Sequence, residues 1–340
     1  MKPFIRDPHQ EINQQIEKLK TRTLEANEEI KRMQLEQEQF LIQVQESQKR
    51  QFTIQQLQTQ PNGQNIEVLS KLMKEKEVLD TALRQKVATL FQGRNSIIDK
   101  QYETFVAISS LQQRVLDDEL IRWKRAQQLA GNGVPFENNL DQVQEWCESL
   151  AEIILMNRQQ LKNIEHLIQH FKYPNSNFQA ETTEKVNNLY KLVTNLLSSL
   201  VTSTFIIEKQ PPQVMKTNTR FTSTVRLLVG GKLNVQMAPP QVKVTIISEA
   251  QALALLKNDK ITSGDASGEI LNNIGTMEYH QATRQLSVNF RNMQLRKIKR
   301  AEKKGTESVM DEKFSLLFQS QFKVAGGELV FQVWVWIFLF

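Results

Sequence analysis

Residues 140–171 read LDQVQEWCESLAEIILMNRQQLKNIEHLIQHF, and one set of positions in that stretch decides how the first half of the chain folds. Leu140, Val143, Cys147, Leu150, Ile154, Asn157, Leu161, Ile164, Ile168 and Phe171 step by three and four without a break. A period of 3.5 keeps one stripe of a helix against a partner. Upstream the same seam recurs: Ile12, Ile16, Leu19, Thr23, Ala26, Ile30, Met33, Gln37, Phe40, Val44 and Ser47. Pro61-Asn62-Gly63 ends that helix by removing a donor and permitting a positive φ. A second helix is predicted from Ile66 to Leu129, with Leu72, Leu79, Leu83, Val87, Leu90 and Ile97 on its inner side, closed by Gly131-Asn132-Gly133 and Pro135. A fourth, shorter helix carries Val186, Leu189, Val193, Leu196 and Leu200. Four seamed helices on short turns predict an antiparallel four-helix coiled-coil bundle over residues 10–202, after a disordered start at 1–9. Its long solvated surface reads either as a spacer arm or as a platform for partners, and the sequence leaves both open.

Beyond Ser203 the period falls to 2. Phe221, Ser223, Val225, Leu227 and Val229 alternate with polar residues, as do Val242, Val244 and Ile246. Leu286, Val288 and Phe290 follow, then Phe314, Leu316 and Phe318, and finally Leu329, Phe331 and Val333. Strands at this spacing, punctuated by Gly230-Gly231 and Pro239-Pro240, predict a β-sandwich or barrel over 203–333. The last residues, 334–340, read WVWIFLF and lie outside that pattern. Twelve residues from Leu329 are too few to cross a bilayer as a helix, which takes about 20. They have the uncharged, β-prone profile of an aggregating edge, with an apolar face and a backbone edge expected to be open.

Composition narrows the function. The 340 residues carry one cysteine, Cys147, so no intramolecular disulfide framework forms, and a reducing compartment fits. No apolar leader precedes the first helix. The net charge of +6 is modest, but from Gln281 to Lys304 eight Lys or Arg face a single acid, Glu302. Such an excess attracts polyanions. Leu295-Arg296-Lys297-Ile298-Lys299-Arg300 and Lys303-Lys304 are expected in a loop after the 286–290 strand, either reaching phosphates or simply solvated. No enzyme, cofactor or metal signature is found. Gly231-Lys232 has Arg226 where a phosphate loop needs its first glycine, and reads as a hairpin turn. His166 and His170 lie one turn apart, but Leu167 fills the general-base position of a zinc protease, so they read as exposed helix histidines. Cys147 reads as packing.

Particular strings then become recognisable. Trp123-Lys124-Arg125-Ala126-Gln127-Gln128, followed by Leu140-Asp141-Gln142-Val143-Gln144-Glu145-Trp146, resembles the turn between the second and third coiled-coil helices of STAT proteins. The segment Ser203 to Pro211, STFIIEKQP, resembles that family's entry into its DNA-binding domain. Val214-Met215-Lys216-Thr217, the run Phe221 to Val229 and Glu278-Tyr279-His280-Gln281-Ala282-Thr283 continue the likeness, nearest to the growth-hormone- and prolactin-responsive branch.

The resemblance implies an immunoglobulin-like DNA-binding β-barrel, incomplete at its C-terminal strands, behind the coiled coil, with 334–340 an apolar tail foreign to the family. It implies a latent transcription factor of cytokine (JAK-STAT) signalling, in cytoplasm and nucleus, on palindromic TTC–GAA sites in double-stranded DNA. Lys216 falls on a phosphate-contacting lysine, and Lys303 and Lys304 fall in a second contact loop. Arg296 and Lys299 match basic positions that some members use for nuclear import. Loops rather than a recognition helix would then enter the groove. Ala126 replaces a second arginine of the WKRRQQ string, and the N-terminal, linker and phosphotyrosine-binding SH2 domains are expected to be absent. The alternative is a coiled-coil interaction protein, a regulator or decoy without DNA binding. Neither reading involves a membrane or a small-molecule substrate.

Overall fold

A computed structural model describes residues 8–59, 65–130, 134–171, 176–212, 214–235, 238–257, 266–299, 313–324 and 327–339. The turn signals at 61–63 and 131–133, the residues 1–7, and Phe340 lie outside them. The helices are α1 (Pro8–Thr59), α2 (Asn65–Gln113), α3 (Ile121–Ala130), α4 (Leu140–His170) and α5 (Ser176–Ser203). The long second helix is not uniformly α. A π segment, Arg114–Leu120, joins α2 to α3 and turns the adjacent pairs Val115/Leu116 and Glu119/Leu120 inward. An extra residue per turn widens the buried face in this way.

By compactness the chain divides into residues 1–111 with 153–195, and residues 112–152 with 196–340. The step from helix to strand at 203–205 is therefore not the compactness boundary.

The first unit is a bundle whose cross-helix bonds fix an up-down-up-down order. Arg22 meets Glu103 at 2.7 Å and Ser47 meets Asp80 at 2.6 Å, so α1 and α2 run antiparallel. Gln101 donates to Gln160 at 2.7 Å across α2 and α4, and Tyr190 donates to Glu165 at 3.1 Å across α4 and α5. The seams are apolar, with Ile12, Ile30, Leu90, Ile98, Phe105, Ile154, Leu161 and Val193 buried. Polar members of the seams pair with each other. The Asn157 amide donates to Thr23 at 3.0 Å, and Gln160 donates to the Thr23 carbonyl at 2.8 Å. Arg94 donates to Gln37 and to the Phe171 carbonyl, closing the C-terminal end of α4. Burial there pulls the Arg94 guanidinium down to about 10.

The second unit contains two antiparallel sheets. One has the order β1 (Phe205–Lys209), β2 (Arg220–Leu227), β7 (Gln285–Ile298), β4 (Gly268–Leu271), with β6 (Glu278–His280) also on β7. The other has the order β5 (Ile274–Thr276), β3 (Gln241–Ser248), β8 (Phe314–Val324), β9 (Leu329–Leu339). Inward residues Val225, Leu227, Val242, Val244, Ile246, Met277, Leu286, Met293, Leu316 and Phe318 form the core. Ser267 donates to the Ile246 carbonyl at 2.9 Å and Val244 to the Asn273 carbonyl at 2.8 Å, tying the sheets together along β3 and β4.

Three expectations need correction. Gly230–Lys232 is a 3₁₀ turn and not a hairpin, because β2 and β3 belong to different sheets and the chain crosses between them. The basic run does not begin in a loop. Residues 295–298 are the end of β7, since Met293 and Leu295 continue the inward alternation and β4 pairs there, Glu269 with Lys297 and Gly268 with Ile298. The last strand does not stop at Val333. β9 pairs with β8 without interruption from Leu329 opposite Val324 to Leu339 opposite Phe314. Its inward face is not open either, for Phe331 and Val333 are buried.

Candidate nucleic-acid interface

Lys216 sits in the connection between β1 and β2. The Thr219 hydroxyl donates to the Lys216 carbonyl at 2.6 Å, and Asn218 takes φ 62°. A left-handed residue suits asparagine better than most side chains, so the local sequence favours this turn. The turn docks on β7. Asn218 N–H donates to the Leu295 carbonyl at 2.7 Å, and the Gln294 amide donates to the Asn218 carbonyl at 2.8 Å. The turn that carries Lys216 is thereby docked on β7 at Gln294 and Leu295, the residues just before Arg296, although the two segments are far apart in sequence.

Register adds cations at the same end. Arg220 opens β2 opposite Gln294, and Lys297 and Lys299 follow Arg296. Lys216, Arg220, Arg296, Lys297 and Lys299 are all exposed. Lys299 N–H donates to the Ser267 carbonyl at 2.7 Å, which fixes its backbone. Arg296 lies 3.9 Å from Glu269, both well exposed, a separation at which water and salt screen the pair. These side chains can exchange their solvent or their carboxylate for phosphate oxygens at little cost. Lys303 and Lys304 lie outside the described residues. Lys297, part of the basic run in the sequence, and Arg220, which the sequence reading did not single out, complete the cluster. The alternation of Arg220 with buried Phe221 is the only local signal that Arg220 faces out.

A buried cation holds the other part of this unit together. Arg226 on β2 is 1% exposed. Its Nη1 donates to Glu208 at 2.9 Å, its Nη2 to Asp141 at 3.0 Å, and its Nε to Gln144 at 3.0 Å. Asp141 and Gln144 come from α4, and Glu208 from β1. The Gln144 amide also donates to Glu148 at 3.1 Å and to the Arg284 carbonyl at 3.0 Å. Burial raises the Glu148 carboxyl, with Arg284 and Lys232 opposing.

The Trp123–Gln128 string has a structural task here. Gln127 donates to the Ile207 carbonyl at 3.1 Å and to the Glu208 carbonyl, while Lys124 donates to the Ser203 carbonyl at 3.2 Å. Burial lowers the Lys124 ammonium. Lys124 is thus engaged inside the protein and is not offered to a partner. Cys147 is fully buried, and burial pushes its thiol up to about 12, which makes it packing and not a nucleophile.

Two comparisons bear on the family. Residues 13–197 match the family described as "STAT transcription factor, coiled-coil domain", and residues 209–337 match "STAT protein, DNA binding domain". The second span runs four residues past Val333. A Drosophila melanogaster protein named "Signal transducer and transcription activator" is 40% identical over 254 residues, covering 73% of this chain and 31% of the relative. The chain therefore spans about a third of that relative's length. Among solved structures, the crystal structure of STAT2 in complex with IRF9 aligns with a TM-score of 0.45 and 18% identity, covering 56% of this chain and 96% of that chain.

Proposed function

We propose that this chain, which belongs to the STAT family, acts in signalling as a DNA-binding transcription factor. The grip on the duplex is through the barrel end that carries Lys216, Arg220, Arg296, Lys297 and Lys299. The observation that carries this reading is the docking of the Lys216 turn on Gln294 and Leu295, which makes one basic surface of two distant segments. Lys303 and Lys304, outside the described residues, are proposed as further phosphate contacts. Contacts of this kind position a protein on DNA without reading bases. By resemblance the site is palindromic, of TTC–GAA type, and the branch is that of the growth-hormone- and prolactin-responsive members. Arg296 and Lys299 serve nuclear import when DNA is absent, so the protein works in both cytoplasm and nucleus. The bundle surface takes protein partners.

The test is fluorescence anisotropy with a labelled TTC–GAA duplex and a scrambled duplex over a salt series. Each phosphate contact contributes roughly −0.9 to the slope of log K against log salt. Lys216→Ala should reduce the slope by about one, and the pair Lys303→Ala and Lys304→Ala by about one to two. Unchanged slopes would show that these residues do not touch the backbone. Equal, undetectable binding to both duplexes at low salt would favour a regulator acting through the bundle alone.

A further inference from the structure

His166 and His170 lie one turn apart on the exposed side of α4, in its last turn and a half. Their Nε2 atoms are 3.1 Å apart, and their ring centroids 4.1 Å apart. At that distance one imidazole accepts a hydrogen bond from the other. That separation is also what two imidazoles adopt on one metal ion. An ion at about 2.05 Å from each nitrogen would see the pair at an angle of about 98°, between the octahedral and tetrahedral values. The two rings line an open groove with Gln34, Glu38 and Asn163, and water would complete the coordination sphere. Lys162 lines the same groove.

We infer that His166 and His170 form a chelating site for a divalent first-row transition ion, in the order Cu²⁺ above Ni²⁺ and Zn²⁺. The order follows from imidazole donors with no imposed geometry. Among the described residues no group of three or more His, Cys, Asp or Glu side chains converges, so the site is a two-imidazole clip and not a closed structural centre. Its effect is local. The clip spans one turn just before α4 ends, where Gln37 donates to the Leu167 carbonyl at 3.1 Å and Arg94 donates to the Phe171 carbonyl at 3.2 Å. An ion bound to both rings requires the helical turn between them, so binding stabilises that turn.

The chain suits a clean test, because it has four histidines and its cysteine is buried. Untagged full-length protein is titrated with Cu²⁺, and separately with Zn²⁺, by calorimetry, with electron paramagnetic resonance on the copper form. One ion should bind with micromolar affinity, and the copper spectrum should show coupling to two equivalent nitrogens. Joining two ligands makes the second bond intramolecular, so His166→Ala or His170→Ala should each weaken binding about tenfold or more. His280→Ala should leave it unchanged. Both rings are exposed, so these substitutions spare the fold, which circular dichroism verifies. A copper signal with one nitrogen, or affinity unchanged in His166→Ala and His170→Ala, overturns the inference. So does the absence of binding tighter than millimolar.

Discussion

Replacing Arg226 by alanine tests whether the helical segment 140–152 and the sheets are held as one unit. The guanidinium has three kinds of partner, and each responds differently to its loss. The Asp141 side chain is 83% exposed, so that arm is screened and contributes about 0–1 kcal/mol. Glu208 is 28% exposed and loses a charge-assisted bond of about 1.5–3 kcal/mol. Gln144 is 5% exposed, and its Oε1 would be left without a donor, at about 1–3 kcal/mol. The terms share one guanidinium and are not independent. The expected loss is therefore about 3–5 kcal/mol, the range for breaking a buried ion pair by removing one partner. Arg226→Lys keeps the charge but not the fork, and should fall between alanine and the parent. The assay follows from the positions of the tryptophans. Trp123, Trp146, Trp334 and Trp336 all lie in the unit formed by residues 112–152 and 196–340, so urea unfolding followed by fluorescence reports that unit alone. A loss below about 1 kcal/mol for Arg226→Ala would refute the reasoning, since the cluster would then be replaceable by water.

Glu148→Gln probes the same region through pH. Burial raises the Glu148 carboxyl above its usual 4.5, so the folded state holds this proton more tightly than the unfolded state does. Stability from this group therefore falls as pH rises from 4.5 through the folded value. Glu148→Gln should be more stable than the parent at pH 7 by fluorescence-monitored unfolding, with the difference vanishing toward pH 4; a constant difference would mean no linked proton. Asn157→Leu completes the α4 seam and removes a buried amide whose Oδ1 has no partner among the described residues, so the bundle's melting point by circular dichroism should hold or rise. A loss above about 2 kcal/mol would show that the Thr23 pairing is net stabilising. Gly268→Ala would set a Cβ 2.5 Å from the Lys297 carbonyl, forcing β4 away from β7 at the basic end. A destabilisation of about 1–3 kcal/mol is expected in the fluorescence transition, and no change would mean that β4 already stands off.

The helices were legible in the sequence because the seams repeat over many turns, and the α4 positions from Leu140 to Ile168 are buried as a seam requires. What a seam meets was not legible. Cys147 and Leu150 obey the same period as Ile154 and Leu161, yet they belong to different compact units. Periodicity reports a buried stripe and is silent on whether a helix or a sheet covers it. The short strands β4, β5 and β6 escaped, being too brief for alternation to register. Arg226 escaped for another reason. It sits on the outward face of a strand whose neighbours alternate correctly, and only the unbroken Leu227-Leu228-Val229 run hints that both faces are covered there. Of the basic surface, the charges were legible, but their union was not, because it depends on the bonds that Asn218 makes to Gln294 and Leu295.

The apolar segment LVFQVWVWIFLF shows how the same residues read differently once a fold surrounds them. Taken alone, an uncharged run with large side chains on both faces is a sheet-forming hazard. In place, Gly327 takes φ 97° at the turn into β9, and the two faces separate. Phe331 and Val333 enter the core, with the Phe331 ring 6.0 Å from that of Phe322. On the other face the sheet is not left to water along its whole length. Helix α6 (Glu249–Leu256), started by a capping box of Ser248 and Gln251, lays Ala252 and Leu255 on Ile247 and Leu317, and Trp336 packs against that cluster. Trp334 stacks on Trp336 at 4.9 Å and 5°, and is 39% exposed. The residues from 334 onward thus give the outer cluster around α6 one of its members. The outward apolarity of β9 is met by α6 at Trp336, while Val330 and Trp334 on the same face stay exposed.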